Sequence, residues 1–124
     1  MEVDAAAAAA QIEQVLDSLQ AKGLLSEARF AAALARTRAE RFGTARIRHE
    51  MREHDLPDEL VRSTVETLRS TEEQRARDLW KRRFGRVAAD PAERARQMRF
   101  LAARGFPTAL VLKIVKGPAG DDPA

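Results

Sequence analysis

Asp55-Leu56-Pro57-Asp58-Glu59-Leu60-Val61 and Gly105-Phe106-Pro107-Thr108-Ala109-Leu110-Val111 are one turn and helix start written twice. Leu56/Phe106, Pro57/Pro107, Leu60/Leu110 and Val61/Val111 match at a constant offset of 50 (105 − 55). The first turn opens a helix with Thr64, Val65 and Leu68 on its apolar stripe; the second opens one with Ile114 and Val115. Upstream, Arg41-Phe42-Gly43 and Arg83-Phe84-Gly85 each close an arginine-rich helix, at an offset of 42 (84 − 42), so the later copy carries 8 extra residues (50 − 42). Repetition at this period signals stacked helical units, none of which buries its apolar side alone. Arrays of this kind bind partners more often than they catalyse.

Working outward from these turns, helical periodicity predicts seven helices and no strand, an all-α chain. The first spans about Ala6 to Lys22, with Ile12, Val15, Leu16 and Leu19 on one stripe and Gly23 as its end. The second starts at Ser26 as N-cap, turns Phe30, Leu34 and Thr37 inward and closes at Phe42-Gly43. The third begins at Thr44 and offers only Ile47 and Met51 to a core. The fourth runs from Pro57 to about Ser70, with Asp58 and Glu59 favouring its positive end. A capping box of Thr71 and Gln74 opens the fifth, which buries Ala76, Leu79 and Trp80 before Phe84-Gly85. Asp90-Pro91-Ala92-Glu93 starts the sixth, with core residues Met98, Leu101 and Ala102 and Gly105 as cap; the seventh runs from Pro107 to Lys116. The first helix matches the fourth at an offset of 49 (61 − 12), as Ile12, Val15, Leu16, Leu19 against Val61, Thr64, Val65, Leu68. The expected organisation is therefore two complete three-helix repeats, residues 23–70 and 71–117, in an elongated curved array. They are preceded by the last helix of an incomplete first repeat with an alanine-rich leader, residues 1–22, and followed by a flexible tail, residues 118–124.

Composition narrows the chemistry. The 124 residues contain no cysteine, which excludes disulfides and thiolate metal sites and suits a reducing cytoplasm. No apolar run is long enough to cross a bilayer, and Glu2 and Asp4 stand where an export signal needs basic residues. The formal charge of +3 is unevenly spread, because residues 70–116 carry twelve basic and five acidic side chains. A single basic stretch in a balanced chain points to a polyanion or an acidic protein surface as partner. Arginine far outnumbers lysine, which favours bidentate contacts to carboxylate or phosphate.

No constellation for catalysis, cofactor binding or metal ligation stands out. His49 and His54 lack the i, i+4 spacing of a helical zinc pair and read as surface residues. The basic residues remain. Runs of charge on helices are commonly just solvated, and Arg36 with Glu40, Arg46 with Glu50 and Arg82 with Asp78 have spacing for local neutralisation. Arg38, Arg41, Arg48, Arg52, Arg75, Arg77, Arg83, Arg96, Arg99 and Arg104 lack an obvious partner of that kind, and stacked repeats would align them into a stripe. The candidate partner surface is thus Arg38, Arg41, Arg46, Arg48, Arg52, Arg75, Arg82, Arg83, Arg96, Arg99 and Arg104. Phe30, Phe42, Gly43, Trp80, Phe84, Gly85, Gly105 and Phe106 are expected to be structural marks of the repeats, and Phe100 the one aromatic exposed for a partner.

The run Gly23-Leu24-Leu25-Ser26-Glu27-Ala28-Arg29-Phe30-Ala31, with Arg38, Arg41, Phe42-Gly43, Arg46-Ile47-Arg48, Glu50-Met51 and Leu56, resembles the central repeat of RecX regulatory proteins. Arg82-Arg83-Phe84-Gly85 and Phe100-Leu101-Ala102-Ala103-Arg104-Gly105-Phe106 resemble that family's third repeat, and the likeness runs from about Ile12 to Val115. The resemblance implies a cytoplasmic bacterial protein, a monomer of tandem three-helix repeats without active site or cofactor. Such a protein binds the RecA filament on single-stranded DNA and restrains recombinase, coprotease and ATPase activity in recombination, repair and the SOS response. An alternative reading takes the helix with Arg46, Arg48 and Arg52 as one that contacts duplex DNA directly. It lacks Asn, Gln or Ser to read bases, so its contacts would fall mainly on phosphates.

Overall fold

The computed structural model describes residues 5–117, which form five helices and no strand. They are α1 (Ala5–Ala39), α2 (Thr44–Glu53), α3 (Asp58–Arg83), α4 (Pro91–Ala103) and α5 (Thr108–Val115). The expected tail at 118–124 lies outside the described residues. Five helices replace the seven expected because two breaks do not occur. α1 runs through Gly23 and Ser26, and α3 through Ser70 and Thr71. A glycine inside a helix costs only about 1 kcal/mol, and Gly23 stands in open space with nothing to force a turn. At the second site the hydroxyls return to their own helix instead of capping a new one. Ser70 Oγ donates to the Thr67 carbonyl (2.6 Å) and Thr71 Oγ1 to the Leu68 carbonyl (3.2 Å), while Gln74 turns to Asp78 (2.9 Å).

The chain divides into two compact units between Phe30 and Ala31. In the first, the stripe of Ile12, Val15, Leu16 and Leu19 is exposed, each residue by 58–60 %. Phe30, expected inward, is 43 % exposed. The buried residues of α1 are Ala31 and Ala35; Leu34 packs half-buried against the same cluster as expected, whereas Thr37 is exposed.

The second unit holds two apolar clusters that repeat one plan. Ala31, Ala35, Ile47, Met51, Leu56, Val61, Val65 and Leu68 form one; Ala76, Leu79, Trp80, Leu101, Phe106, Val111, Ile114 and Val115 form the other. Their turns superpose in hydrogen-bond pattern. Leu56 N donates to the Met51 carbonyl (3.4 Å) and Phe106 N to that of Leu101 (3.3 Å); Val61 N reaches Pro57 O (3.0 Å) and Val111 N reaches Pro107 O (2.9 Å). Asp55 (φ 55°) and Gly105 (φ 94°) supply the same left-handed residue. At the other turn Phe42 N donates to Arg38 O (2.9 Å) and Phe84 N to Trp80 O (2.8 Å). Asp90 caps α4 by accepting from Glu93 N (2.8 Å), with Pro91 in the first turn. Pro57 is the N-cap of α3, so this helix starts at Asp58, one residue later than expected, and Ala102 is exposed while Gln97 takes the buried position.

The two repeats meet backbone to backbone. Gly43 N donates to the Arg104 carbonyl (2.7 Å), and a Cβ on Gly43 would collide with the Gly105 carbonyl and come within 2.7 Å of Phe106 N. A Cβ on Gly105 would sit 2.7 Å from that of Arg46. Both glycines are therefore junction residues, chosen for the absence of a side chain.

Candidate interaction surface

The Arg-Phe-Gly turns that mark the repeats also build their most distinctive surface. Phe42 leaves α1 half-buried against the first core, and three guanidinium groups gather on its ring: Arg46 from α2 at 4.2 Å, Arg104 after α4 at 5.3 Å and Arg41 at 5.8 Å from the centroid. Arg104 also lies 5.0 Å from the ring of Phe100 on α4, and Arg83 lies 5.6 Å from it. Phe100 packs edge to face on Phe84, with centroids 5.4 Å apart at 88°, and Phe84 carries Arg83 at 5.3 Å and Arg96 at 5.7 Å. Three rings and five arginines thus form one ladder across the junction of the repeats. Each cation over an exposed ring face contributes about 0.5–1 kcal/mol, small per contact but sufficient to hold a flexible side chain in one place.

Stacking leaves the guanidinium edges available. Among the described residues, the side chains of Arg41, Arg83 and Arg104 enter no hydrogen bond or ion pair other than these ring contacts, whereas Arg96 pairs with Glu93 (3.1 Å). Arg46 Nη1 donates to the Ala103 carbonyl (3.2 Å), at the negative end of α4. A planar fork with free donors suits carboxylate or phosphate. Phe100, expected exposed, is half-buried under Arg83 and Arg104, so this surface presents charge in front of its aromatic rings.

Other predicted site residues serve the fold. Arg38 holds Glu50 with Nε at 3.2 and 3.0 Å and Nη2 at 2.9 Å from the carboxylate. That hydrogen-bonded guanidinium keeps the Glu50 carboxyl below its ordinary range. Glu50 therefore belongs to Arg38, twelve residues away, and the expected i, i+4 pair with Arg46 does not form. Arg75 is half-buried and donates to the carbonyls of Ala39 (2.9 Å), Phe42 (2.7 Å) and Leu68 (3.0 Å) and to Thr44 Oγ1 (3.1 Å). Burial lowers its pKa, with Glu72 acting in the opposite sense. Beside it, buried Glu72 accepts from Thr44 N (2.7 Å), the first amide of α2. Arg75 and Glu72 thus lock the loop that presents Phe42, and Arg75 has no free donor set for a partner.

Arg82 donates to the Glu40 carbonyl (2.8 Å), leaving Asp78 to Gln74. Arg77, expected without a local acid, pairs with Glu73 (3.7 Å) and reaches the Gly117 carbonyl (3.2 Å). Arg99 is exposed and outside the ladder. Arg48 and Arg52 line a different surface, described below. Sequence reasoning missed Glu72 and the hydrogen bond from Trp80 Nε1 to Gln97 Oε1 (2.9 Å). A signal existed for the second, since an indole N–H in an apolar stripe needs an acceptor.

Two apolar clusters built on one helical plan, joined by glycines and carrying arginines on a row of rings, define the class: an all-α protein of tandem helical repeats. No helix among the described residues is long and apolar enough to cross a membrane. Comparison with known proteins makes the assignment particular. Residues 26–65 match the RecX second three-helix domain and residues 71–115 the RecX third three-helix domain. The chain is 50 % identical over 107 residues to the regulatory protein RecX of Leptothrix cholodnii, covering 86 % of this chain and 68 % of that one. It is 42 % identical over 118 residues to that of Ralstonia nicotianae (91 % and 74 %) and 36 % identical over 113 residues to that of Pseudomonas syringae pv. tomato (90 % and 73 %). No solved structure is significantly similar. The chain belongs to the RecX family.

Proposed function

We propose that this protein binds the RecA filament on single-stranded DNA and restrains RecA in recombination, coprotease activity and ATP hydrolysis. The observation that carries this reading is the arginine and phenylalanine ladder, which spans both repeats and offers pre-positioned guanidinium groups to the phosphates and carboxylates of a nucleoprotein filament. Arg41, Arg46, Arg83, Arg96 and Arg104 make the contact, with Arg82 and Arg99 contributing charge beside them. The protein acts in the cytoplasm as a monomer, as a modulator with no reaction and no cofactor of its own.

The repeat boundaries at 22/23 and 70/71 fall inside α1 and α3. In this reading each long helix closes one repeat and opens the next, so the described residues up to 22 belong to the closing helix of a first repeat, with 23–70 the second and 71–117 the third.

Titration of the protein onto RecA bound to single-stranded DNA tests the proposal. Co-sedimentation with the filament and slower ATP hydrolysis at substoichiometric amounts are expected. Neither effect at equimolar protein would sink it. Direct, sequence-selective footprints on duplex DNA without RecA would instead favour a duplex-binding module acting through α2.

A further inference from the structure

α2 presents two arginine surfaces, and the ladder uses only one. Arg48 and Arg52, one turn apart on α2, line a groove of about 700 Å³ together with Arg62 of α3. Its floor is Leu56, Val61 and Val65 of the first core, and Asp55 and Asp58 stand on its rim. The side chains of Arg48, Arg52 and Arg62 are exposed and make no hydrogen bond, ion pair or ring contact among the described residues.

The internal repeat supplies a control. At the offset of 50, the three arginines correspond to Met98, Ala102 and Leu112, while the floor corresponds to Phe106, Val111 and Val115. The scaffold therefore requires the apolar floor and not the charge. The turns differ as well. Gly105 admits α2 so closely that an added Cβ would meet Arg46, whereas Asp55 holds the same left-handed conformation with a side chain attached. A neighbour packed on Asp55 as α2 packs on Gly105 would collide with that side chain, so this groove is not closed by the contact that joins the two repeats.

We propose that the groove of Arg48, Arg52, Arg62, Leu56, Val61 and Val65 docks an acidic amphipathic peptide segment of a protein partner. An apolar side chain would lie over the floor while carboxylates set one turn apart engage the arginines. Asp55 and Asp58 decide between a peptide and a nucleic acid: a continuous phosphate backbone would run against both, whereas a peptide places its carboxylates singly, on the arginines and clear of the aspartates. The groove and the ladder are thus separate surfaces, and the proposal holds whether or not the ladder meets a RecA filament.

The test uses the full chain and a fluorescein-labelled peptide of about 12 residues built from repeated Leu-Glu-Glu-Leu blocks. The expected result is saturable binding that shifts the methyl resonances of Leu56, Val61 and Val65. Arg48→Glu with Arg62→Glu, and separately Arg52→Gln, should weaken it, the first by about tenfold or more, while Arg94→Glu, an exposed arginine outside the groove, changes it less than about twofold. Helical circular dichroism checks that each variant is folded. Absence of binding, shifts elsewhere, equal affinity in the groove variants, or displacement of the peptide by an equal concentration of oligothymidine would each overturn the assignment.

Discussion

Arg38 and Trp80 stand at matching places, four residues before Phe42 and Phe84, and each ties the opening helix of its repeat to the middle one. The chemistry is opposite. Arg38 crosses to Glu50 through an ion pair in which both side chains are about a third exposed (32 % and 27 %). Trp80, 3 % exposed, donates a neutral hydrogen bond to Gln97, which is 1 % exposed and passes its own donor to the Arg86 carbonyl (3.1 Å). One backbone plan therefore tolerates a charged clamp at a half-wet edge and a dry amide in a closed core. The second cluster should be the firmer, since burial and not a screened ion pair supplies its stability.

Substitutions can break that contrast in order of size. Trp80→Ala empties the closed core and should cost about 3–5 kcal/mol in chemical denaturation, more than any change at Arg38. Gly43→Val drives a side chain into the Gly105 backbone and should cost about 2–3 kcal/mol, uncoupling the two clusters so that they melt in separate steps. Arg75→Met keeps the bulk of the side chain but removes the donor that the carbonyls of Ala39 and Phe42 share. A loss of about 2–3 kcal/mol is expected, with weaker filament binding because the Phe42 loop is freed.

The smallest effect is the most diagnostic. Glu50 has a depressed carboxyl pKa in the fold, held there by Arg38, so its contribution is complete above the ordinary glutamate range near ~4.3 and disappears as pH falls through the folded value. Glu73, lowered chiefly by its hydrogen bond from Lys113, follows the same sign. The Trp80–Gln97 link has no titrating group. Amide exchange measured from pH 7 to pH 3 should show α2 losing protection before α4. Glu50→Gln should remove most of that difference at a cost below about 1 kcal/mol at neutral pH. Equal acid sensitivity of the two helices would contradict the contrast.

The repeat itself was legible, because turns impose residue types. The left-handed position at Asp55 and Gly105, the proline that follows two residues later and the apolar stripes are local demands that any sequence must state. Helix ends were less so. Gly23 and Ser70 carry break signals, but a glycine costs too little to stop a helix, and hydroxyls satisfied within their own turn give no reason to start a new one. The arginines were least legible. Arg38 finds Glu50 and Arg75 finds carbonyls more than thirty residues away, so spacing along one helix could not tell a structural cation from a free one. The Arg-Phe-Gly turns read from sequence only as structural marks of the repeats, and the contacts that build the ladder on them come from arginines that the fold brings in from other helices.

The ladder as the working face is the central claim, and paired alanine substitutions address it most directly. Arg46→Ala with Arg104→Ala strips two of the three cations from Phe42 without touching a buried core residue. In an ATP hydrolysis assay of RecA on single-stranded DNA, the account predicts that wild-type protein slows the reaction and that the folded double variant needs about tenfold more protein for the same effect. Equal inhibition by the double variant, with its helical signal intact, would contradict it.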